Sequence, residues 1–242
     1  INARAVTLVD FAKSLDPNGQ VARTIDILSQ TNEVIDDMIW TEGNLPTGHR
    51  TTIRVGLPTV VWRQLYGGVP ASKGVRAQVD EACGMLEARS EVDVDLANLN
   101  GNANEFRLSE AAGFLEAMNQ TFAQTLFYGD TSVNPERFLG FSPRYSLSSA
   151  TNGQNIIKMG GASNANNSIW LVGWGNDTCT GIYPKASSAG IMHQDLGEGD
   201  AFDSSQNRYR ALMDRWQWKC GLCVRDWRYV VRICNIDQTA IL

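Results

Sequence analysis

Between Leu86 and Leu96 the chain alternates one for one: Leu86, Ala88, Ser90, Val92, Val94 and Leu96 against Glu87, Arg89, Glu91, Asp93 and Asp95. A period of two is the signature of a strand with one face packed and the other in solvent or against a charged partner. A shorter alternating run, "TTIRVGLP", precedes it, with Ile53 and Val55 on either side of Arg54. Two such runs in succession predict a hairpin. Between them, from about Val60 to Val75, Trp62, Tyr66, Gly67, Gly68, Pro70 and Gly74 make a ladder impossible throughout. The chain is thus committed to a long hairpin with a loose aromatic tip, expected to be mobile in an isolated chain. A strand of eight to twelve residues at about 3.3 Å per residue carries such a tip roughly 25 to 40 Å from its base.

The flanking segments predict an α+β chain. Before the hairpin, "VARTIDILSQTNEVIDDMIW" places Ile25, Leu28, Ile35, Met38 and Ile39 at roughly helical spacing, which predicts a short helix in a partly extended arm. After it, Leu108, Ala111, Leu115, Met118, Phe122 and Leu126 recur at steps of three and four, the pattern of a long amphipathic helix. Asn102 with Glu105 resembles a capping box and Gly129 stands where the helix should end. At 1.5 Å per residue this helix spans roughly 35 Å. From about Pro135 the chain turns to Gly, Asn and Ser with short strands such as "SIWLVGWG" and "TGIYP", so 140–205 is expected to be a loop-rich mixed domain. The closing run, with Trp216, Trp218, Trp227, Tyr229 and Val231, reads as a strand pair closing against the long helix. No repeat of fixed period appears.

Composition restricts function. A net charge of −5 and a pI near 5.1 argue against a surface built to grip phosphate backbones, so contact with nucleic acid is expected to be loose. No apolar run of about 18 residues predicts a membrane span, and the first residues show no charged leader, apolar block or cleavage site; a soluble chain of cytoplasmic origin is expected. The five cysteines are an odd number without framework spacing, which predicts free, mostly buried thiols.

Catalytic chemistry finds little support. His49 and His193 have no nucleophile motif beside them, "GFSPR" and "GGASNA" lack the second Gly of a nucleophile elbow, and "GWGNDT" lacks the last Gly of a dinucleotide fingerprint. Cys220-Gly-Leu-Cys223 has zinc or redox spacing but no second ligand pair, so the favoured reading is a tight turn or bulge between strands. The carboxylates Glu87, Glu91, Asp93 and Asp95 read as a solvated strand face rather than a metal site. No catalytic, cofactor or metal residues are therefore assigned.

An arm, a long hairpin, a long helix, a loop-rich domain and returning strands, in this order, resemble the major capsid proteins of tailed bacteriophages with the Hong Kong 97 fold. The resemblance covers nearly the whole chain and is carried by "TTIRVGLPTVVWRQLYGGVPASKG" with "EVDVDL", "NEFRLSEAAGFLEAMNQTF", "NNSIWLVGWGNDTCTGIYPK" and "CGLCVRDWRYVVRICNID". It is most similar to the coat proteins of short-tailed phages.

The resemblance implies an N-terminal arm at 1–40, an extended loop hairpin at 41–80, a peripheral domain with its spine helix at 81–139, an axial domain at 140–205, and return strands of the peripheral domain at 206–242. It also implies that the loop lies across a neighbouring copy, with Trp62, Arg63, Tyr66, Pro70 and Lys73 in the contact. The implied partners are copies of the chain in pentamers and hexamers of an icosahedral shell, with scaffold, portal and decoration proteins and loosely held double-stranded DNA. The implied place is the virion, assembled in the bacterial cytoplasm. Aromatics folding back on the parent domain is the competing reading of the tip. Some capsids of this fold join loops through Lys and Asn side chains. Lys73 stands in the tip, but the matching acidic and Asn positions cannot be aligned, so cross-linking is not expected. The family also tends to continue past "NIDQTAIL", which makes a further C-terminal segment an expectation. The rival functions are the shell of a bacterial protein compartment and a cytosolic enzyme using Cys220 or Cys223.

Overall fold

The computed structural model describes residues 32–99, 103–161 and 166–237. The chain divides into two units. One is formed by Met85–Thr125 and Gly190–Lys219 with the described residues up to Asp36; the other by Asp37–Gly84, Leu126–Ala189 and the described residues from Cys220. The strands are β1 (Trp40–Glu42), β2 (Gly48–Gly56), β3 (Val75–Asp93), β4 (Ile156–Lys158), β5 (Asn166–Val172), β6 (Cys179–Tyr183), β7 (Ile191–Phe202), β8 (Arg208–Val224) and β9 (Val230–Asp237). The helices are α1 (Glu33–Asp37), α2 (Val94–Asn98), α3 (Ala103–Tyr128) and α4 (Phe141–Arg144). Elements β3, α3 and β8 each contribute residues to both units. Among the described residues no helix is long and apolar enough to cross a membrane.

In the first unit the predicted alternation of β3 holds from Leu86 to Asp93: Ser90 and Val92 are buried while Glu87 and Arg89 are exposed. It does not continue through Val94 and Leu96. Asp93 ends the strand because its carboxylate accepts from the amides of Asp95 and Leu96, capping α2. Leu96 still reaches the core, packed with Val92, Ala97 and Phe106. Asp93→Ala should lower stability by about 1 kcal/mol, read as a shift in the urea midpoint at constant slope.

Helix α3 follows. Its 26 residues span about 39 Å at the standard rise. Met118, Phe122 and Leu126 of the expected stripe are buried, joined by Phe106, whereas Leu108 and Leu115 are exposed. The offset arises because β8 presents large rings: Phe114 stacks on Trp216 with centroids 5.4 Å apart, and Phe122 on Trp218 at 4.4 Å. Such contacts add to area burial and select the helix face. The expected cap at Asn102 lies outside the described residues, as do Ile25 and Leu28 of the arm.

Strand β7 pairs antiparallel with β8 from Ile191↔Trp218 to Phe202↔Arg208, a second long hairpin that the Gly-rich composition hid. On the exposed side of β3, Arg215 hydrogen bonds to Glu87 and holds its carboxyl at about 2, below the ordinary 4.5, with Arg89 and Gln217 adding to the effect. A depressed pKa means that the interaction is present above about 4.5 and is lost as pH falls toward 2. Titration of the Glu87 side-chain carboxyl by NMR should show that low midpoint, and Arg215→Gln should move it upward.

In the second unit the strand order is β1-β6-β8-β3-β2, with β1 parallel to β6 and both β6–β8 and β2–β3 antiparallel. A separate sheet has the order β4-β9-β5. The closing strands β8 and β9 therefore do not pair with each other, as the sequence had suggested; the turn at Trp227–Tyr229 separates two sheets instead. Phe141, fully buried, is the centre of an aromatic cluster with Phe127, Trp170 and Trp174. Tyr145 donates its hydroxyl to the Trp227 carbonyl at 2.9 Å, and Arg232 lies over the Trp170 ring at 5.2 Å. Gly48 is required at the base of the hairpin, because a Cβ there would run into the carbonyl of Glu81.

Candidate functional site

The β2–β3 ladder runs from Gly48↔Ala82 to Arg54↔Arg76 and, after a register shift, Gly56↔Val75. Nine residues of β2 extend about 30 Å at the usual rise. Beyond Gly56 no strand forms until Val75, which matches the irregular tip expected from its Gly and Pro content. Two local devices shape the tip. The Gly67 amide donates to the Gln64 carbonyl at 3.0 Å, closing a turn with Tyr66 at φ 65°, and the Ser72 hydroxyl donates to the Thr59 carbonyl at 2.9 Å, tying the two limbs together. A bulky residue at positive φ costs of order 1–2 kcal/mol, so the turn holds an aromatic outward at an energetic disadvantage.

All five expected contact residues lie on this tip, and Trp62, Arg63, Tyr66, Pro70 and Lys73 are all exposed. Trp62 and Tyr66 each have 103% relative exposure, and Leu57, Val60 and Leu65 accompany them at 80% or more. Among the described residues neither Trp62 nor Tyr66 is buried. What the sequence reading missed is the aliphatic set, legible in hindsight as "GLPTVVWRQLYGGV", where the apolar residues follow neither helical nor strand periodicity.

The thiols lie elsewhere. Cys220-Gly-Leu-Cys223 is neither turn nor bulge but the uninterrupted interior of β8, buried at every position because β6 and β3 flank it and both faces are covered. All five cysteines are free. Burial pushes the Cys83 thiol up to about 11 and Cys179 to about 12, and raises Cys220 further. A thiol so protonated is a poor nucleophile. Iodoacetamide at pH 8 should leave Cys179 and Cys220 unmodified in the folded chain and label them after guanidinium unfolding, as read by mass spectrometry. Among the described residues no group of His, Cys, Asp and Glu is arranged to hold a metal.

His49 is pushed below its ordinary value by burial and then by the Arg225 guanidinium, 3.2 Å from its Nε2. His193 borders an open cleft of about 210 Å³ lined also by Arg107, Leu108, Asp195, Asp214 and Trp216. There Arg107 bridges Asp214 at 2.8 Å and Asp195 at 2.9 Å, and His193 Nε2 meets Asp214 Oδ1 at 2.8 Å. The cleft lining contains no Ser, Thr or Cys. It reads as an ion-pair network bracing α3 against β7 and β8.

Comparison with known proteins fits a chain whose outstanding surface feature is a projecting, apolar hairpin. The family model for the major capsid protein GP7 matches residues 16–242. The solved structure of bacteriophage Epsilon15 is similar over 100% of this chain and 73% of that chain, with 33% identity and a TM-score of 0.78. The fold alone is shared with the capsid of the native GTA particle, at 8% identity over 91% of this chain and 95% of that one with a TM-score of 0.60. It is shared likewise with the SrpI encapsulin from Synechococcus elongatus PCC 7942, at 10% identity over 89% and 93% with a TM-score of 0.58. No curated protein matches the sequence. The chain has the α+β Hong Kong 97-like fold and is a structural subunit of a phage capsid shell in the virion, and it belongs to the GP7 major capsid protein family.

Proposed function

We propose that the distal hairpin clamps a neighbouring copy of the chain, with Trp62, Arg63, Tyr66, Pro70 and Lys73 in the contact. The observation that supports this is the full exposure of Trp62 and Tyr66 among other exposed apolar side chains on the tip. Aromatics with both faces in water are costly to maintain unless association covers them. An arm of one copy on the body of the next is a heterologous contact, which generates rings, and rings of five and six close an icosahedral shell. Many weak copies of one contact then hold the wall together.

In this reading 41–80 is the extended loop, 1–40 the arm, 81–139 the peripheral domain with its spine helix, 140–205 the axial domain and 206–242 the return strands. The shell encloses double-stranded DNA held loosely by an acidic chain, assembles in the host cytoplasm with scaffold, portal and decoration proteins, and performs no catalysis. The test is assembly of a variant with both tip aromatics truncated, followed by sedimentation and electron microscopy. Shells of normal size and yield would sink the clamp.

A further inference from the structure

The β2–β3 ladder sets Arg54 directly opposite Arg76. Like charges facing each other across two strands destabilise the pair, and nothing in the described chain relieves it: Arg54, Arg63, Lys73 and Arg76 have no anionic partner among the described residues. Arg50, nearer the base, differs in being held by Asp80 at 2.6 Å. From Gly43 to Val79 there is no Asp or Glu at all, in a chain whose net charge is −5. The distal hairpin is thus a cationic limb on an anionic protein.

The compensating charge is present on the same chain. Residues 33–42 carry Glu33, Asp36, Asp37 and Glu42 with no Lys, Arg or His, and all four are exposed. None of them makes an ion pair among the described residues. Several carboxylates elsewhere are matched already, as Glu87 is by Arg215, Asp195 by Arg107 and Glu198 by Arg210.

We infer that Arg54, Arg63, Lys73 and Arg76 dock the hairpin on carboxylates of a second copy of this chain. The inference rests on the clamp reading above and adds its chemistry: apolar side chains supply the adhesion, and the cationic limb selects the surface and its orientation. Phosphate backbones are the other anions a cationic limb could meet. They are disfavoured because Leu57, Val60, Trp62 and Leu65 stand exposed on the same limb, and that composition suits a protein surface.

The experiment uses the full-length chain. Self-association is followed by sedimentation across a range of NaCl concentrations for the wild type, R54E/R76E, R54Q/R76Q and the Trp62→Ala/Tyr66→Ala variant, with circular dichroism of each. The charge reversal keeps like charges opposed, so the fold of the unassembled chain should be unchanged, and the Gln pair removes the repulsion entirely. The expected result is that salt weakens wild-type association by screening. R54E/R76E should need about tenfold or more protein for half-assembly, and R54Q/R76Q should fall between. If both charge variants associate like the wild type while the aromatic variant does not, the electrostatic inference is overturned and the clamp stands. Normal shells that merely lose nucleic acid would assign the limb to phosphate and overturn it too. A wild type that stays monomeric at every salt concentration would overturn both.

Discussion

Trp62→Ala combined with Tyr66→Ala should yield a folded chain that cannot build shells. Both side chains are fully exposed, so the isolated subunit loses no packing and its stability should stay within about 0.5 kcal/mol of the wild type. At an interface the same truncations act differently, since buried Trp and Tyr anchors cost about 2–4 kcal/mol each when removed. That is roughly a 30- to 1,000-fold loss for each truncation, and a shell repeats the contact in every subunit. The separation of the two readouts is diagnostic: an unchanged melting curve beside absent shells by negative-stain microscopy. A variant that melts early would point instead to an intrachain role for the tip.

The largest effect on folding should come from Arg144→Ala. Arg144, on α4, donates to both carboxylate oxygens of Glu81 on β3, at 2.6 and 2.5 Å, and again to the Leu139 carbonyl at 3.2 Å. Glu81 retains only 6% exposure. Removing the guanidinium strands a buried anion, which costs about 3–5 kcal/mol and lowers the melting temperature by on the order of 10 °C for a chain of this size. Replacing both partners by apolar residues of similar volume, Arg144→Met with Glu81→Leu, should recover most of that loss. If the single and double variants melt alike, the pair is not the contributor.

Much of the fold was legible because local periodicity and tertiary packing agree there. The hairpin, the long helix and strands β5 and β6 fall where alternation, three-and-four spacing or short apolar runs put them. Legibility failed where a single side chain or a distant partner decides. Asp93 turns an alternating strand into a helix through one carboxylate, so the alternation visible in the sequence at Val94 and Leu96 is not strand in the structure. Met118, Phe122 and Leu126 are buried as helical spacing expects, but Leu108 and Leu115 are exposed and Phe106 is buried in their place, with Phe114 and Phe122 stacked on Trp216 and Trp218, about a hundred positions later in the chain. Strand β7 hides behind "IMHQDLGEGDAF", whose Gly197 and Gly199 read as loop although both pair within an antiparallel ladder. The irregular aromatic tip was expected from residue types alone, and the structure leaves those side chains exposed. The charge arrangement was not expected, because the Arg54↔Arg76 opposition exists only once the register is known.

That β3 is bounded on one side by β2 and on the other by β8 also sets a schedule. Strand β2 leaves the ribosome just before β3 and can pair with it at once, but β8 begins at Arg208, more than a hundred residues after β3 ends at Asp93. At bacterial elongation rates of roughly 5–20 residues per second the second edge of β3 stays unpaired for on the order of ten seconds. During that interval each nascent chain offers an open edge to any other strand nearby. Polysomes making a protein at virion quantities crowd many such chains together, so translation speed between Asp93 and Arg208 becomes a determinant of yield. Synonymous codons that slow this stretch should increase insoluble product without changing a single residue of the mature wall.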